Sequence, residues 1–94
     1  LEADAYTLGG TAFIKLEGTN FTDSLLVGHA TTGTLNDAIN NTGVGIAALD
    51  ALTSGDYNTA IGMRAGTAIT TGSSNTALGS NSLAANISSL IFPF

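Results

Sequence analysis

The chain has no cysteine, which closes off both a disulfide framework and any thiolate metal site. It has no tryptophan, and aromatic residues make up only 6% of it, so few large groups are at hand to fill an interior. Charge is equally sparse: charged residues are 10% of the sequence, and only Lys15 and Arg64 are basic against seven acidic residues. A net charge of −5 leaves no electrostatic footprint for a phosphate backbone, so nucleic acid is not an expected partner, and an acidic membrane surface would repel the chain. No apolar run approaches the ~20 residues a bilayer span requires, so membrane insertion is not expected, and the first residues lack the basic-then-apolar pattern of a secretion signal. What is abundant is small: hydrophobic residues reach 44%, many of them alanine, beside 12 glycines. A chain of 94 residues built this way is marginal at burying a core alone, so association with further copies is expected.

The dominant positive feature is a repeat. Asn41-Thr42-Gly43, Asn58-Thr59-Ala60 and Asn75-Thr76-Ala77 recur at intervals of 17, each followed by an aliphatic residue and a glycine (Val44-Gly45, Ile61-Gly62, Leu78-Gly79). One interval earlier, Ser24 and Val27-Gly28 occupy the same places. Position one of the repeat is therefore Ser24, Asn41, Asn58 and Asn75. Position four is Val27, Val44, Ile61 and Leu78, position five is always glycine, and position twelve is Leu35, Leu52, Ile69 and then Asn86. Fixed periodicity of this kind means that each unit contacts chiefly its neighbours and stacks into an elongated object.

Within one unit, a short strand through positions two to five places positions two and four on one face and position three on the other. The expectation is that Val27, Val44, Ile61 and Leu78 point into the coil, meeting the second aliphatic column, Leu35, Leu52 and Ile69, across a thin interior. The glycines at position five and near position fifteen (Gly55, Gly72) are expected to be corners with positive φ. Stacked in register, Asn41, Asn58 and Asn75 are expected to form a side-chain amide ladder. Gly43, Ala60 and Ala77 are uniformly small and are expected to face outward, where they would let sister chains approach closely; Leu26 departs from that pattern.

The run from Asn58 through Thr-Ala-Ile-Gly-Met-Arg-Ala-Gly66, and Asn75-Thr-Ala-Leu-Gly79 after it, resemble the head repeats of trimeric autotransporter adhesins and the related repeats of bacteriophage tail fibres, over about residues 24 to 85. The longer spacing and the Ser/Thr/Gly loops (Thr53-Ser-Gly-Asp56, Thr70-Thr-Gly-Ser-Ser74) are closer to the phage version. The segment Ala3-Asp4-Ala5-Tyr6-Thr7-Leu8-Gly9-Gly10 is similar to segments of tail-fibre shafts, with Ala5-Tyr6 inserted. The resemblance implies a left-handed parallel β-roll with three chains around an axis, located in a virion tail fibre or at a cell surface.

Apart from the resemblance, Gly9-Gly10 reads as a turn, Thr11 to Leu16 as either a short helix or an alternating strand, and Phe21 to Val27 as a strand feeding the first coil. The C-terminal run Ile87-Ser-Ser-Leu-Ile-Phe-Pro-Phe94 abandons the repeat. It is expected to cap the last coil or, through Leu90, Ile91, Phe92 and Phe94, to dock on a neighbouring subunit.

Chemical motifs are weak by comparison. Gly43-Val-Gly45-Ile-Ala-Ala48 matches a dinucleotide fingerprint, but its first glycine becomes Ala60 and Ala77 in the sister units, so the repeat accounts for it. His29 is the single histidine and builds no metal site within one chain. Asp37, Asp50 and Asp56 lack calcium-roll spacing and read as turn formers. Three Asn-x-Ser/Thr sites are within chance for this composition, and no triad or paired carboxylates appear.

The sequence therefore predicts an all-β chain: a parallel β-roll or β-solenoid of 17-residue coils, homotrimeric, with a short N-terminal turn and strand segment. The divisions are 1–20 (shaft-like), 21–85 (repeats) and 86–94 (cap or docking tail). It predicts a structural fibre or adhesin segment rather than an enzyme, with no cofactor, partnered by itself and by a host cell-surface glycan or protein. Asp56, Tyr57 and Arg64 are candidate contact residues. The alternatives are a subunit of an extracellular filament and an ice-binding solenoid, the latter resting on the single column Thr42, Thr59 and Thr76.

Overall fold

The computed structural model describes residues 5–9, 11–16 and 18–84. These residues are all-β, with no helix among them. Strands β1 (Ala5–Leu8), β2 (Thr11–Lys15), β4 (Leu25–Val27), β6 (Thr42–Val44), β7 (Thr59–Ile61) and β8 (Thr76–Leu78) form one sheet in the order β1-β2-β4-β6-β7-β8. A two-stranded sheet pairs β3 (Phe21–Thr22) with β5 (Ala38–Ile39). Thr11 to Lys15 is thus a strand, and the stretch from Phe21 to Val27 is two strands broken at Asp23, whose φ is 53°.

The sheet changes character along its length. β1 and β2 form an antiparallel hairpin turning at Gly9, with a bulge between Tyr6 and Thr7, and β2 lies antiparallel to β4. From β4 onward every pairing is parallel, matching Leu25 to Thr42 to Thr59 to Thr76, Leu26 to Gly43 to Ala60 to Ala77, and Val27 to Val44 to Ile61 to Leu78. Each repeat is therefore one rung, separated from the next by the ~4.8 Å of a ladder. The return path is bonded from rung to rung as well. Arg64 N–H donates to Ile46 O at 2.8 Å, Leu49 N–H to Ala65 O at 3.0 Å, Thr53 N–H to Thr70 O at 3.0 Å and Ser74 N–H to Asp56 O at 2.8 Å.

The turns that close each rung are made by left-handed residues in repeating columns: position seven (Ala47, Arg64, Asn81), position nine (Leu49, Gly66, Leu83) and position seventeen (Asn40, Tyr57, Ser74). Position five goes further, with φ of 128° at Gly45 and 130° at Gly62, a region that residues with a Cβ scarcely enter. A Cβ on Gly45 would also stand 2.6 Å from Gly62 O on the next rung. Gly55 and Gly72 do not have the expected positive φ. Close approach decides the residue at Gly55, where a Cβ would lie 2.2 Å from Gly72 O.

The interior inverts the expected strand faces. Position three points inward: Leu26, Ala60 and Ala77 are fully buried and Gly43 is buried with them. Position four points outward, with Val44 37%, Ile61 42% and Leu78 57% exposed and Val27 half-buried. Positions two and four do share a face, but it is the outer one. The reason is the thinness of a 17-residue rung. Leu52 and Ile69 are fully buried from the return side with Leu35 packed against them, and position nine adds Leu49 and Leu83, so the strand has room to contribute only glycine or alanine.

Where a leucine does enter from the strand side, a neighbouring rung yields: a Cβ on Gly43 would sit 2.6 Å from Leu26 Cδ2. The same holds on the return path, where a Cβ on Gly66 would sit 3.0 Å from Leu49 Cδ2. Leu26 is thus no exception to the column but the partner of its glycine. At the N-terminal end Phe21, fully buried, closes the core, with Lys15 Nζ 5.3 Å from its ring centroid, within cation–π range.

Candidate functional site

Two built features stand out from the rungs: a buried asparagine column at one strand end and an apolar column on the outer strand face. The asparagines are fully or almost fully buried, at 0% exposure for Asn41 and Asn58 and 2% for Asn75. Asn41 Oδ1 accepts both the backbone N–H of Asn58 (2.9 Å) and its Nδ2–H (3.1 Å). Asn58 Oδ1 accepts the same pair from Asn75. Asn58 Nδ2 also donates to Gly72 O at 2.9 Å, and Asn41 Nδ2 donates to Gly55 O at 2.9 Å and Ile39 O at 3.2 Å. Ser24 starts the column, its Oγ accepting Asn41 N–H at 2.9 Å and donating to Thr22 O. A buried amide needs all of its bonds made, and asparagine alone has a donor and an acceptor at this reach. Between Ser24 and Asn58 the column is engaged within the chain's own rungs and does not face solvent, whereas Asn75 Oδ1 at its end has no partner among the described residues.

The outer face is different. Val44, Ile61 and Leu78 stand one above another on hydrogen-bonded strands, and two residues further along each rung Ile46 and Met63 are 60% and 51% exposed. A ladder is rigid, so these side chains form a fixed apolar stripe. Soluble monomers seldom leave large side chains ordered and exposed in a row. Gly43, Ala60 and Ala77, expected at a chain–chain interface, are instead buried inside their own rungs. The face opposite to them, carrying the residues expected in the core, is the one available for contact.

Asp56, Tyr57 and Arg64 do not converge. Asp56 and Tyr57 precede β7 and Arg64 follows it, at opposite ends of the strand. Asp56 Oδ1 is engaged by Ile39 N–H at 3.0 Å, whereas Tyr57 is 61% exposed. His29 accepts Thr31 N–H on Nδ1 at 3.0 Å and uses Nε2 on Ala48 O at 2.7 Å, so both ring nitrogens tie this chain's own turns together. No cavity opens among the described residues, and no three His, Asp or Glu side chains gather there. Leu90, Ile91, Phe92 and Phe94 lie outside the described residues, as does Asn86.

Sequence reasoning missed position nine of the core. Leu49 and Leu83 share that column with Gly66, and the glycine hid the aliphatic signal. Compared with known protein families, curated proteins and solved structures, the chain finds no match.

Proposed function

We propose that this chain is a segment of a fibre or adhesin of the phage tail-fibre type, a left-handed parallel β-solenoid whose three copies join around an axis through the outer aliphatic column. The observation that carries this reading is the stripe of Val44, Ile61 and Leu78, large and exposed on parallel strands paired in register. Covering it removes apolar surface from water at ~25 cal/mol per Å² and gives each thin rung the second wall that its own composition cannot supply. Threefold association follows the resemblance of the Asn-Thr-Ala-aliphatic-Gly repeats. The role is mechanical and presentational, not catalytic: a stiff rod in a virion or at a cell surface, with exposed loop residues such as Tyr57 offered to a host glycan or protein.

Sedimentation of the purified chain tests it. The expected mass is three chains, falling to one on Ile61→Asp while the β-sheet circular dichroism persists; a wild-type chain that stays single at micromolar concentration overturns the reading.

A second reading, a filament polymerising end to end, is favoured by one observation. Among the described residues, Asn75 Oδ1 is buried without a hydrogen-bond partner and β8 is the last strand of the sheet. Such growth would show as mass rising without limit as concentration increases.

A further inference from the structure

Alternation along β2 runs opposite to that of an ordinary hairpin at the end of a one-sided sheet. Lys15, paired with Leu26, is turned inward and only 8% exposed, its ammonium 5.3 Å from the centroid of the buried Phe21 ring. Its two neighbours, which alternation puts on the opposite face, are aliphatic: Ile14 is half-buried and Leu16 is 42% exposed. Lysine is among the residues least often buried, and a sheet with one wet face ordinarily turns its apolar residues in and its polar ones out. β2 belongs to no repeat, so this inversion marks the outer face as a covered one independently of the 17-residue pattern.

That face is continuous with the stripe on the rungs. Ile14 pairs with Val27, and Val27 is in register with Val44, Ile61 and Leu78, so one aliphatic row crosses the change from antiparallel to parallel pairing. Beside it runs a second row, in which Leu25 is in register with Thr42, Thr59 and Thr76, and the register of β2 on β4 sets Leu16 next to Leu25. The stripe on β6 to β8 alone spans two ladder spacings, about 10 Å, which is short where stable interfaces bury about 800 Å² per partner. Val27 and Ile14 double that span to about 19 Å. Neither row carries an ionisable side chain, so chains of net charge −5 can approach there without setting like charges together.

We propose that β2, through Ile14 and Leu16, belongs to the contact between sister chains and sets their axial register; this rests on the reading that copies of the chain join through the outer face. The rungs alone do not set register. Val44, Ile61 and Leu78 are near-equivalents, and a sister chain displaced by one ladder spacing would meet almost the same surface. The hairpin end is unique: the second row has leucine at Leu16 and Leu25 and threonine on the three strands that follow. Chains at equal height bring leucine to leucine, whereas a slip of one spacing sets a leucine against a threonine hydroxyl and uncovers another. Lys15 is the pin. Held against Phe21, it keeps β2 from shifting by one residue, a change that would exchange its two faces.

Sedimentation and inter-chain distances in the full chain test this. Leu16→Asp alters a side chain already exposed on the single chain, so β-sheet circular dichroism is expected to persist while the concentration needed for association rises at least about tenfold. Association that is unchanged in Leu16→Asp but lost in Ile61→Asp overturns the proposal and leaves the joined copies standing; a wild-type chain that stays single overturns both. Register is read by pulsed electron resonance from a nitroxide on Thr71→Cys, an exposed position in a chain without other cysteines. One inter-chain distance is expected with Leu16 in place. In Leu16→Thr, at a concentration where it still sediments as the wild-type assembly, further distances offset by ladder spacings are expected. A single unchanged distance in that variant overturns the role in register.

Discussion

The inner and outer faces of the parallel ladder obey opposite rules. Inside, the strand contributes Gly43, Ala60 and Ala77, and the large groups come from the return path. Outside, the same strands carry Val44, Ile61 and Leu78 into the open. In a globular sheet the larger alternate residues mark the core, but a rung of two short walls has no depth for large groups from both. Size therefore reports which wall a residue stands on, not whether it is buried.

This contrast can be broken in order of expected effect. Leu26→Ala empties an inner position that nothing else reaches and should cost about 2–5 kcal/mol in urea unfolding. Adding Gly43→Ala to it should recover part of that loss, since Leu26 Cδ2 occupies the space of the missing Cβ; strict additivity of the two changes would sink the idea that the rungs are fitted in size. Ala60→Leu overfills the inner face and should cost about 1–3 kcal/mol in the same measurement. Ile61→Asp on the outer face, measured on the single chain, should change stability by no more than about 0.5 kcal/mol. A large loss there would mean that the outer column supports the single chain after all.

Much of the architecture could be read from spacing alone, because the interval, the strand positions and the asparagine column are all properties of periodicity. Which face of the strand turns inward was not readable, since alternation defines two faces without saying which is in. That choice depended on Leu49, whose column is broken by Gly66, and on the steric conflict between Leu26 and Gly43, which links residues on different rungs. The corners were likewise only half legible. Gly45 is required by its φ, but Ala47, Leu49, Tyr57, Arg64 and Leu83 adopt left-handed conformations that their types disfavour, held there by the bonds between rungs. Asp56 and Arg64 lie at opposite ends of β7, a separation that spacing along the chain did not reveal.

The asparagine column has one more consequence. The Oδ1 atoms of Asn41 and Asn58 each accept only a backbone N–H and an amide proton one interval later, which any equivalent rung would provide. Removal of a whole unit, such as Asn58 through Ser74, would bring Asn75 onto Asn41 with every bond type preserved, whereas loss of a single residue would misalign all that follows. The length of the ladder is therefore quantised, and duplication or excision in whole units is the natural route by which it changes.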